Sequence, residues 1–252
     1  MKNKKLKTVI FLSLLLLGLA NTNAQSETTN VKNFDKVIVS PHISVNFIQG
    51  DSESVTIETC SVDKNKLNIE VDGKTLRIYL EGAKEVTKNE KYKKDGQKRT
   101  RSLYKGTVVT ATVTYKNIDE LSLRGEEKFS CKSPIVQDDF RLKIYGESEI
   151  TINKVNLKKL RTTMYGESYI VIKEGNIGYQ KFTGYGEAKI NTLGLANKST
   201  KITAYGEGSY RVNVSEELKV TAYGEATVAY KGNPEVNKGI VIGEATIQRI
   251  SE

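Results

Sequence analysis

The sequence contains very little histidine and cysteine. Among its 252 residues there are one His, two Cys, no Trp and three Pro. One imidazole and two thiols are too few for the usual multi-ligand zinc or iron sites, and two cysteines do not make a disulfide-rich scaffold. His42, the single histidine, follows Pro41 just before a predicted strand, a position typical of a surface turn. This scarcity argues against Ser-His or Cys-His catalysis, and no catalytic residue, cofactor or metal is predicted.

Long apolar runs are absent after the first 24 residues. Four lysines open the chain, an apolar run follows at 9–20, and small and polar residues lead to Ala24. This pattern is typical of a secretory signal peptide, and the run is shorter than the ~20 residues of a membrane span. The sequence predicts a signal peptide at 1–24, with an uncleaved anchor as the alternative. It predicts one domain at 25–252, located in the periplasm, at the cell surface or outside the cell, with no membrane span of its own.

The formal charge of +9 is unevenly distributed. Four lysines lie in the signal peptide, and the segment at 81–105 carries nine basic and four acidic residues, so the rest of the chain is neutral. A nucleic-acid-binding protein is expected to spread Lys and Arg along a face with interleaved aromatics, so no nucleic-acid partner is predicted. The basic, loop-like insertion at 81–105 is expected either to be solvated or to contact an anionic partner, such as surface polysaccharide or lipid headgroups.

The strongest pattern is an internal repeat of about 20 residues. The dipeptide Gly-Glu occurs seven times, in steps of 18 to 21 residues, and so even a spacing indicates repeated structural units. In five copies a tyrosine precedes the glycine, whereas the first copy has Arg124 there and the last has Ile242. The repeated glycines are Gly125, Gly146, Gly166, Gly186, Gly206, Gly224 and Gly243.

Hydrophobicity alternates around each repeated glycine with a period of two. Residues at even distances are mostly apolar or small, and those at odd distances are mostly polar. This period predicts strands, and repetition in register predicts an all-β parallel solenoid of about 20 residues per coil. A propeller blade needs ~40 residues and fits worse. The glycine is expected to mark a bend or a close approach of two backbones.

Two outward-facing ladders are predicted beside the glycines. The tyrosines are expected either to stabilise register by stacking or to bind glycans, with the carboxylates, through ring-face contacts and hydrogen bonds. The glutamates are expected to be solvated, bonded to backbone N–H groups or neutralised by a cation such as calcium, because no lysine column stands at a fixed offset. The candidate ligand face comprises Tyr145, Glu147, Tyr165, Glu167, Tyr185, Glu187, Tyr205, Glu207, Tyr223 and Glu225.

The N-terminal third is also strand-like but lacks the repeat. Alternating segments flank Asp72-Gly73, which is a strong hairpin signal. These strands are expected to cap the first coil, because the end of a solenoid must be covered. Whether Cys60 and Cys131 form a disulfide stays open, since they lie far apart in sequence and on different strand phases.

Together these features resemble a family of bacterial exported proteins, the putative auto-transporter adhesin, head GIN domain, a domain of unknown function. The resemblance spans roughly 34–250 and rests on the opening NFDKVIV, the VNFIQG turn, the segment LNIEVDGKTL and the strand-Gly-x-small repeats. It implies an exported right-handed parallel β-helix without catalytic residues. The family's repeats often read Gly-Ser-Gly where this chain has Gly-Glu-Ser or Gly-Glu-Ala.

The sequence therefore predicts a non-enzymatic, adhesin-like binding or structural module of the cell envelope of a Gram-negative bacterium. Its expected partner is a glycan or an envelope or surface protein, while the ligand and the oligomeric state stay open. The alternative is a carbohydrate-active enzyme, a polysaccharide lyase or glycoside hydrolase, on the same fold. A break in the ladders lined by converging charged side chains would favour the enzyme, and a uniform face would favour binding.

Overall fold

The computed structural model describes residues 26–251, so the predicted signal peptide lies outside the described residues. The chain is 72% strand and forms a parallel-strand solenoid of about six turns, with about 20 residues in each coil. This architecture confirms the all-β solenoid predicted from the repeat. Within residues 26–251, no helix has the length and apolar character that crossing a membrane requires.

The strands before the first Gly-Glu repeat are short. A single 3₁₀ turn interrupts them at Lys64–Lys66 in this part of the described chain. In order, the strands are β1 (Glu27–Asn30), β2 (Lys36–Val39), β3 (Ile43–Gln49), β4 (Ser54–Cys60), β5 (Leu67–Asp72), β6 (Thr75–Leu80), β7 (Asn89–Lys94), β8 (Gln97–Ser102) and β9 (Val109–Tyr115).

Most strands of the repeat region are longer than those before it, because several of them continue through the corners of the coil. They are β10 (Glu120–Gly125), β11 (Lys128–Cys131), β12 (Ile135–Gly146), β13 (Glu149–Tyr165), β14 (Tyr169–Tyr185), β15 (Ala188–Thr192), β16 (Leu195–Asn213), β17 (Glu217–Lys231) and β18 (Glu235–Arg249).

Successive coils stack in a constant parallel register around one core. Ile150 pairs with Ile170, Ile170 with Ile190, and Ile190 with Tyr210. All four side chains are buried, because residues at even distances from the repeated glycine point into the solenoid. The stack therefore buries a continuous apolar column that no single coil could bury alone.

The N-terminal strands cover the first repeat coil, as expected, but they do so as further coils of the solenoid. β2 pairs in parallel with β10, and β3 with β11. β6 and β9 then pair on the far side of β2 and β3 and form the outermost coil. After β1, which pairs with β4 at the outer edge of the sheet, the chain builds the second coil with β2 and β3 and then returns to build the first. β4 and β5 extend the sheet in antiparallel fashion.

Two hairpins lie in the N-terminal part. β5 and β6 are antiparallel, with Asp72 opposite Thr75, which confirms the hairpin predicted at Asp72-Gly73. The segment at 81–105 connects β6 to β9 and was expected to be loop-like. It instead contains the antiparallel hairpin β7–β8, which forms a small sheet of its own with a turn at Asp95-Gly96. Its basic side chains are therefore mounted on a folded projection from the outermost coil.

One pair of coils departs from the regular core pattern. Two residues before the repeated glycine, earlier coils have large side chains such as Met164, but the next coil has Gly184. A Cβ there would lie 2.7 Å from both the Cβ of Ala188 and the hydroxyl oxygen of Tyr210, and a Cβ at Gly208 would lie 2.5 Å from the ring of Tyr210. The buried Tyr210 thus fills the space that both glycines leave, so these exceptions compensate for one another.

The two cysteines are not linked. Cys60 and Cys131 are both free thiols, which answers the question that the sequence left open. Cys131 is fully buried in the core, and this burial raises the pKa of its thiol to about 12. A buried, protonated thiol of this kind behaves as a small apolar side chain rather than as a nucleophile.

Candidate functional site

The repeated glycines form the corner that positions the candidate ligand face. Each has a positive φ, between 102° and 131°, in a region that side-chain-bearing residues rarely adopt. A Cβ on Gly166 would also overlap the carbonyl oxygen of Gly146 in the preceding coil. Both predicted roles, the bend and the close backbone approach, are confirmed. Only glycine fits this corner, and the residues beside it therefore recur at the same position in every coil.

Small residues after the corner strengthen this register. The hydroxyl group of Ser148 donates to the carbonyl oxygen of Gly125 at 2.9 Å, and that of Ser168 donates to Gly146 at 2.8 Å. In turn, the backbone N–H of Ser148 donates to the hydroxyl oxygen of Ser168 at 3.1 Å. The first three corners are thus bonded to one another through their serines.

The five tyrosines stack on one another along the solenoid axis. Their ring centroids are 4.7–5.1 Å apart and their planes differ by 3–6°. Since each inner ring has a tyrosine on both faces, its faces are occupied and only its edge and hydroxyl group reach solvent. The ring of Tyr185, for example, is 37% exposed. The ladder can offer hydrogen bonds to a ligand, but its inner rings cannot offer the ring-face contacts expected from the sequence.

The N-terminal end of the tyrosine ladder is covered by an arginine. The guanidinium group of Arg124 lies 4.9 Å from the ring centroid of Tyr145, a cation–π arrangement. Arg124 also pairs with Glu85, which in turn contacts Arg77 at 2.5 Å. Burial, followed by the neighbouring charge of Arg77, lowers the pKa of Arg124. The residue that breaks the tyrosine pattern in the sequence therefore terminates the stack.

A column of basic residues runs parallel to the tyrosine ladder, contrary to the expectation that no cation recurs at a fixed offset. It stands five residues before each repeated glycine from Gly146 to Gly224, on the same outward strand phase as the tyrosines, whereas the first repeat has Glu120 at this offset. This constant offset is visible in the sequence, and it places the basic residues on the strand that precedes the corner. The column consists of Arg141, Arg161, Lys181, Lys201 and Lys219, which pair in register from coil to coil.

Threonines fill the space between the tyrosines and the basic column. Together the three columns line a groove of about 680 Å³ on one face of the solenoid. The bulged segment at Gly239 and Ile240 closes the C-terminal end of this groove. The threonines are Thr163, Thr183, Thr203 and Thr221. We call this surface the Tyr–Thr–Lys face.

The predicted glutamates lie on the other side of the glycine corner. Glu187, Glu207 and Glu225 line a separate, smaller depression with Lys189, and no tyrosine of the ladder takes part in it. The structure thus divides the candidate ligand face into two surfaces rather than one combined strip. Glu147, Glu167, Glu207 and Glu225 are exposed and Glu187 is half-buried. Within residues 26–251, no group of three or more acidic, His or Cys side chains is arranged to hold a metal ion.

The repeat is interrupted at the N-terminal corner, where a pocket of about 410 Å³ opens beside Pro41, His42 and Glu127. Glu127 occupies the position that is small in later coils and is only 3% exposed. One of its carboxylate oxygens accepts a hydrogen bond from the backbone N–H of Glu126 at 3.0 Å. Burial raises the pKa of Glu127, and the backbone N–H and imidazole of His42 partly oppose that shift.

The sequence suggested that His42 is an ordinary surface residue in a turn, but the structure shows that it is not. It has a positive φ of 71°, and its two ring nitrogens contact the insertion at Thr87 and the residue that follows the insertion, Gly106. Nδ1 donates to the carbonyl oxygen of Gly106 at 2.8 Å, and Nε2 lies 2.6 Å from the hydroxyl oxygen of Thr87. His42 therefore ties the insertion to the corner. In the sequence, the one sign of this arrangement is Glu127, a large acidic residue at a position that is small in the later coils.

Comparisons with known proteins agree with this architecture. The family model described as putative auto-transporter adhesin, head GIN domain, matches residues 33–234. No match was found among curated proteins.

Solved structures share the fold at low sequence identity. A putative adhesin from Bacteroides fragilis superposes with a TM-score of 0.71 at 17% identity, covering 90% of this chain and 96% of that one. A putative adhesin from Parabacteroides merdae gives 0.63 at 20% identity over 90% and 96% of the two chains. A putative lipid binding protein from Parabacteroides distasonis gives 0.59 at 21% identity over 91% and 98%. At this level of identity the likeness concerns the fold alone.

Proposed function

Because this chain belongs to the putative auto-transporter adhesin, head GIN domain family, we propose that it is an exported, non-enzymatic binding module of the bacterial cell envelope. Its ligand is a glycan that lies along the Tyr–Thr–Lys face. The observation that carries this proposal is the unbroken register of the three columns, which present the same side chains on successive coils. A surface that repeats along an axis suits a polymer that also repeats.

The chemistry of the face favours hydrogen bonding to sugar hydroxyl groups. The hydroxyl groups of the ladder tyrosines and of Thr163, Thr183, Thr203 and Thr221 belong to none of the hydrogen bonds within residues 26–251. Each hydroxyl can both donate and accept, as a sugar hydroxyl does. Because the tyrosine faces are covered by one another, the expected contacts are to ring edges and hydroxyl groups.

Glycan-array binding by wild type and a face variant tests this assignment. Thr183→Val, Thr203→Val and Thr221→Val together replace three hydroxyl groups with methyl groups of similar shape. Binding is expected to fall several-fold. The matched control carries Thr151→Val, Thr227→Val and Thr246→Val, which lie beyond the glycine corner, and should bind as wild type does. Equal binding by wild type, the face variant and the control variant would show that the glycan does not bind to the Tyr–Thr–Lys face.

Export is supported by the predicted signal peptide and by the adhesin family. Cell fractionation with an antibody against the folded domain measures it directly. A mature chain beginning near residue 25 is expected in the periplasm, the outer membrane or the medium. An intact chain that starts at Met1 and stays in the cytoplasm would contradict the proposal.

The alternative enzyme on the same fold is favoured by one observation, the break in the repeat at the N-terminal corner. Its two titratable side chains, however, are enclosed within the protein: Glu127 is almost fully buried, and both ring nitrogens of His42 have partners. Incubation with acidic and neutral polysaccharides, followed by analysis of chain length, tests the alternative. Cleavage by wild type that is lost in Glu127→Gln would establish an enzyme.

A further inference from the structure

Three lysines on the Tyr–Thr–Lys face have no acidic partner within residues 26–251. Lys181 pairs in register with Lys201, and Lys201 with Lys219, so their backbones are ~4.8 Å apart, the ordinary strand spacing. The two arginines of the same column are neutralised, since Arg141 pairs with Glu120 and Arg161 with Asp139. The unpaired lysines therefore form a short row of like charge at the C-terminal half of the groove.

Such a row is electrostatically unfavourable unless an anion lies along it. Neighbouring cations at one strand spacing repel, and mobile ions screen that repulsion only partly over so short a distance. A groove lined by one sign of charge also concentrates oppositely charged ligands. Charge complementarity thus points to a ligand whose negative charges recur along the solenoid axis.

We infer that the ligand of the Tyr–Thr–Lys face is a linear acidic polysaccharide. This inference rests on the proposed function and names the substrate class of that same face. A pyranose unit in an extended chain has a length close to the spacing between coils, so successive sugars lie opposite successive coils. Their carboxylate, sulfate or phosphate groups pair with Lys181, Lys201 and Lys219. Their hydroxyl groups bond to the threonine and tyrosine hydroxyls beside the lysines.

Two other anionic partners fit the face less well. A single-stranded nucleic acid binds aromatic surfaces by stacking its bases on exposed ring faces, whereas the inner tyrosines cover one another's faces. A lipid bilayer favours an apolar surface that enters the interface beside the cations, whereas threonines occupy that place here. A narrow row of cations in a hydroxyl-lined groove favours a single polymer chain.

The test compares polygalacturonate with fully methyl-esterified polygalacturonate, which keeps the sugar chain and removes its charge. Affinity is measured by biolayer interferometry. The face variant carries Lys181→Gln, Lys201→Gln and Lys219→Gln. The control carries Lys132→Gln, Lys173→Gln and Lys189→Gln, three lysines beyond the glycine corner that also lack ion pairs within residues 26–251. Circular dichroism and melting temperature establish that all variants are folded.

Wild type and the control are expected to bind polygalacturonate alike, and the face variant to bind it about tenfold more weakly or worse. Raising NaCl from about 50 to 500 mM should weaken wild-type binding by a similar factor, and the methyl ester should bind poorly. If wild type binds polygalacturonate and its ester equally, and the threonine variant binds both more weakly, the inference is overturned and the proposed function stands. Binding to phosphatidylglycerol vesicles but to no glycan would overturn both, and so would an absence of binding to every probe.

Discussion

The regular coils and the N-terminal corner solve the same packing problem with different side chains. In the coils at 145–225 the bend is a glycine with positive φ, the residue two positions later is small, and a stacked tyrosine precedes the bend. At the N-terminal corner Gly125 keeps the positive φ, but in the coil stacked before it Pro41 and His42 occupy the corner, with a positive φ at His42. Glu127 occupies the small position, and Arg124 covers the end of the ladder.

The difference shows which residues can recur in every coil and which can occur only at the end of the solenoid. A residue in a regular coil contacts its own copies in the coils before and after it, so the same residue serves at every level. A corner at the end of the stack has a copy on one side only. His42 and Arg124 instead contact the insertion at Thr87 and Glu85, and His42 also contacts Gly106 directly after it. The end of the solenoid is thus closed by a folded segment that replaces the missing coil.

The largest expected effect comes from breaking a regular corner. Gly166→Ala forces a side chain into a backbone conformation with φ of 109° and against the carbonyl oxygen of Gly146. We expect a loss of about 3 kcal/mol in the free energy of unfolding, measured by denaturant titration. Gly73→Ala is the matched control, because its φ is 56° and its Cβ would meet no atom within 4 Å. That change should cost about 1 kcal/mol, and equal losses would contradict the account of the corner.

The second prediction restores regularity where two coils depart from it. Gly184→Met introduces the residue that the preceding coil carries and should cost about 2 kcal/mol, because Tyr210 already fills the space. The double variant Gly184→Met/Tyr210→Val should lose less stability than the two single losses added together, since Val228 holds the equivalent position in the next coil and only the contact with the Cβ of Ala188 remains. A thermodynamic cycle over the four proteins measures this coupling. Additive losses would show that Tyr210 does not fill the volume left by Gly184.

The third prediction compares the middle of the tyrosine ladder with its end. Tyr185→Ala removes stacking contacts with Tyr165 and Tyr205, whereas Tyr223→Ala removes one tyrosine contact, with Tyr205. We expect losses of about 1.5 and about 0.7 kcal/mol in the free energy of unfolding. Equal losses in the two variants would mean that side-chain burial, rather than stacking, stabilises the ladder.

The smallest effect is expected at the N-terminal corner, from Glu127→Gln. Because burial raises the pKa of Glu127 above its ordinary value of 4.5, the folded state holds this proton more tightly than the unfolded state does. The resulting stabilisation is complete below that ordinary value and is lost as the pH rises through the folded-state pKa. The free energy of unfolding of wild type, minus that of Glu127→Gln, should therefore fall with rising pH in this window. A flat or rising difference would contradict the burial of Glu127 as a desolvated acid beside His42 and Glu126.

The regular part of the fold was predictable because its signal is repeated. A single glycine in a sequence does not identify a bend, but seven glycines at even spacing identify a repeated corner. The alternation around Gly166 identifies strands. The resemblance to the family pointed to the same architecture. The same arithmetic contains the basic column ending at Lys219, but a constant offset does not show that this column lies beside the tyrosines and away from the glutamates.

The N-terminal corner could not be predicted in the same way, because its contacts join residues far apart in sequence. His42 meets Thr87 and Gly106 only after the chain has returned to build the outermost coil. The order of the first coils, with β6 and β9 outside β2 and β3, also leaves no periodic trace. The separation of tyrosines and glutamates onto two surfaces depends on the corner geometry at each glycine, which alternation alone does not define.

The most direct test of the central claim, that the Tyr–Thr–Lys face binds an acidic polysaccharide, is lysine acetylation footprinting with and without polygalacturonate. Mass spectrometry measures the acetylation rate of each lysine in the folded wild-type protein. The account predicts strong protection of Lys181, Lys201 and Lys219, and none of Lys173 and Lys189. Protection confined to the lysines of the insertion at 81–105, or uniform protection of all lysines, would contradict it.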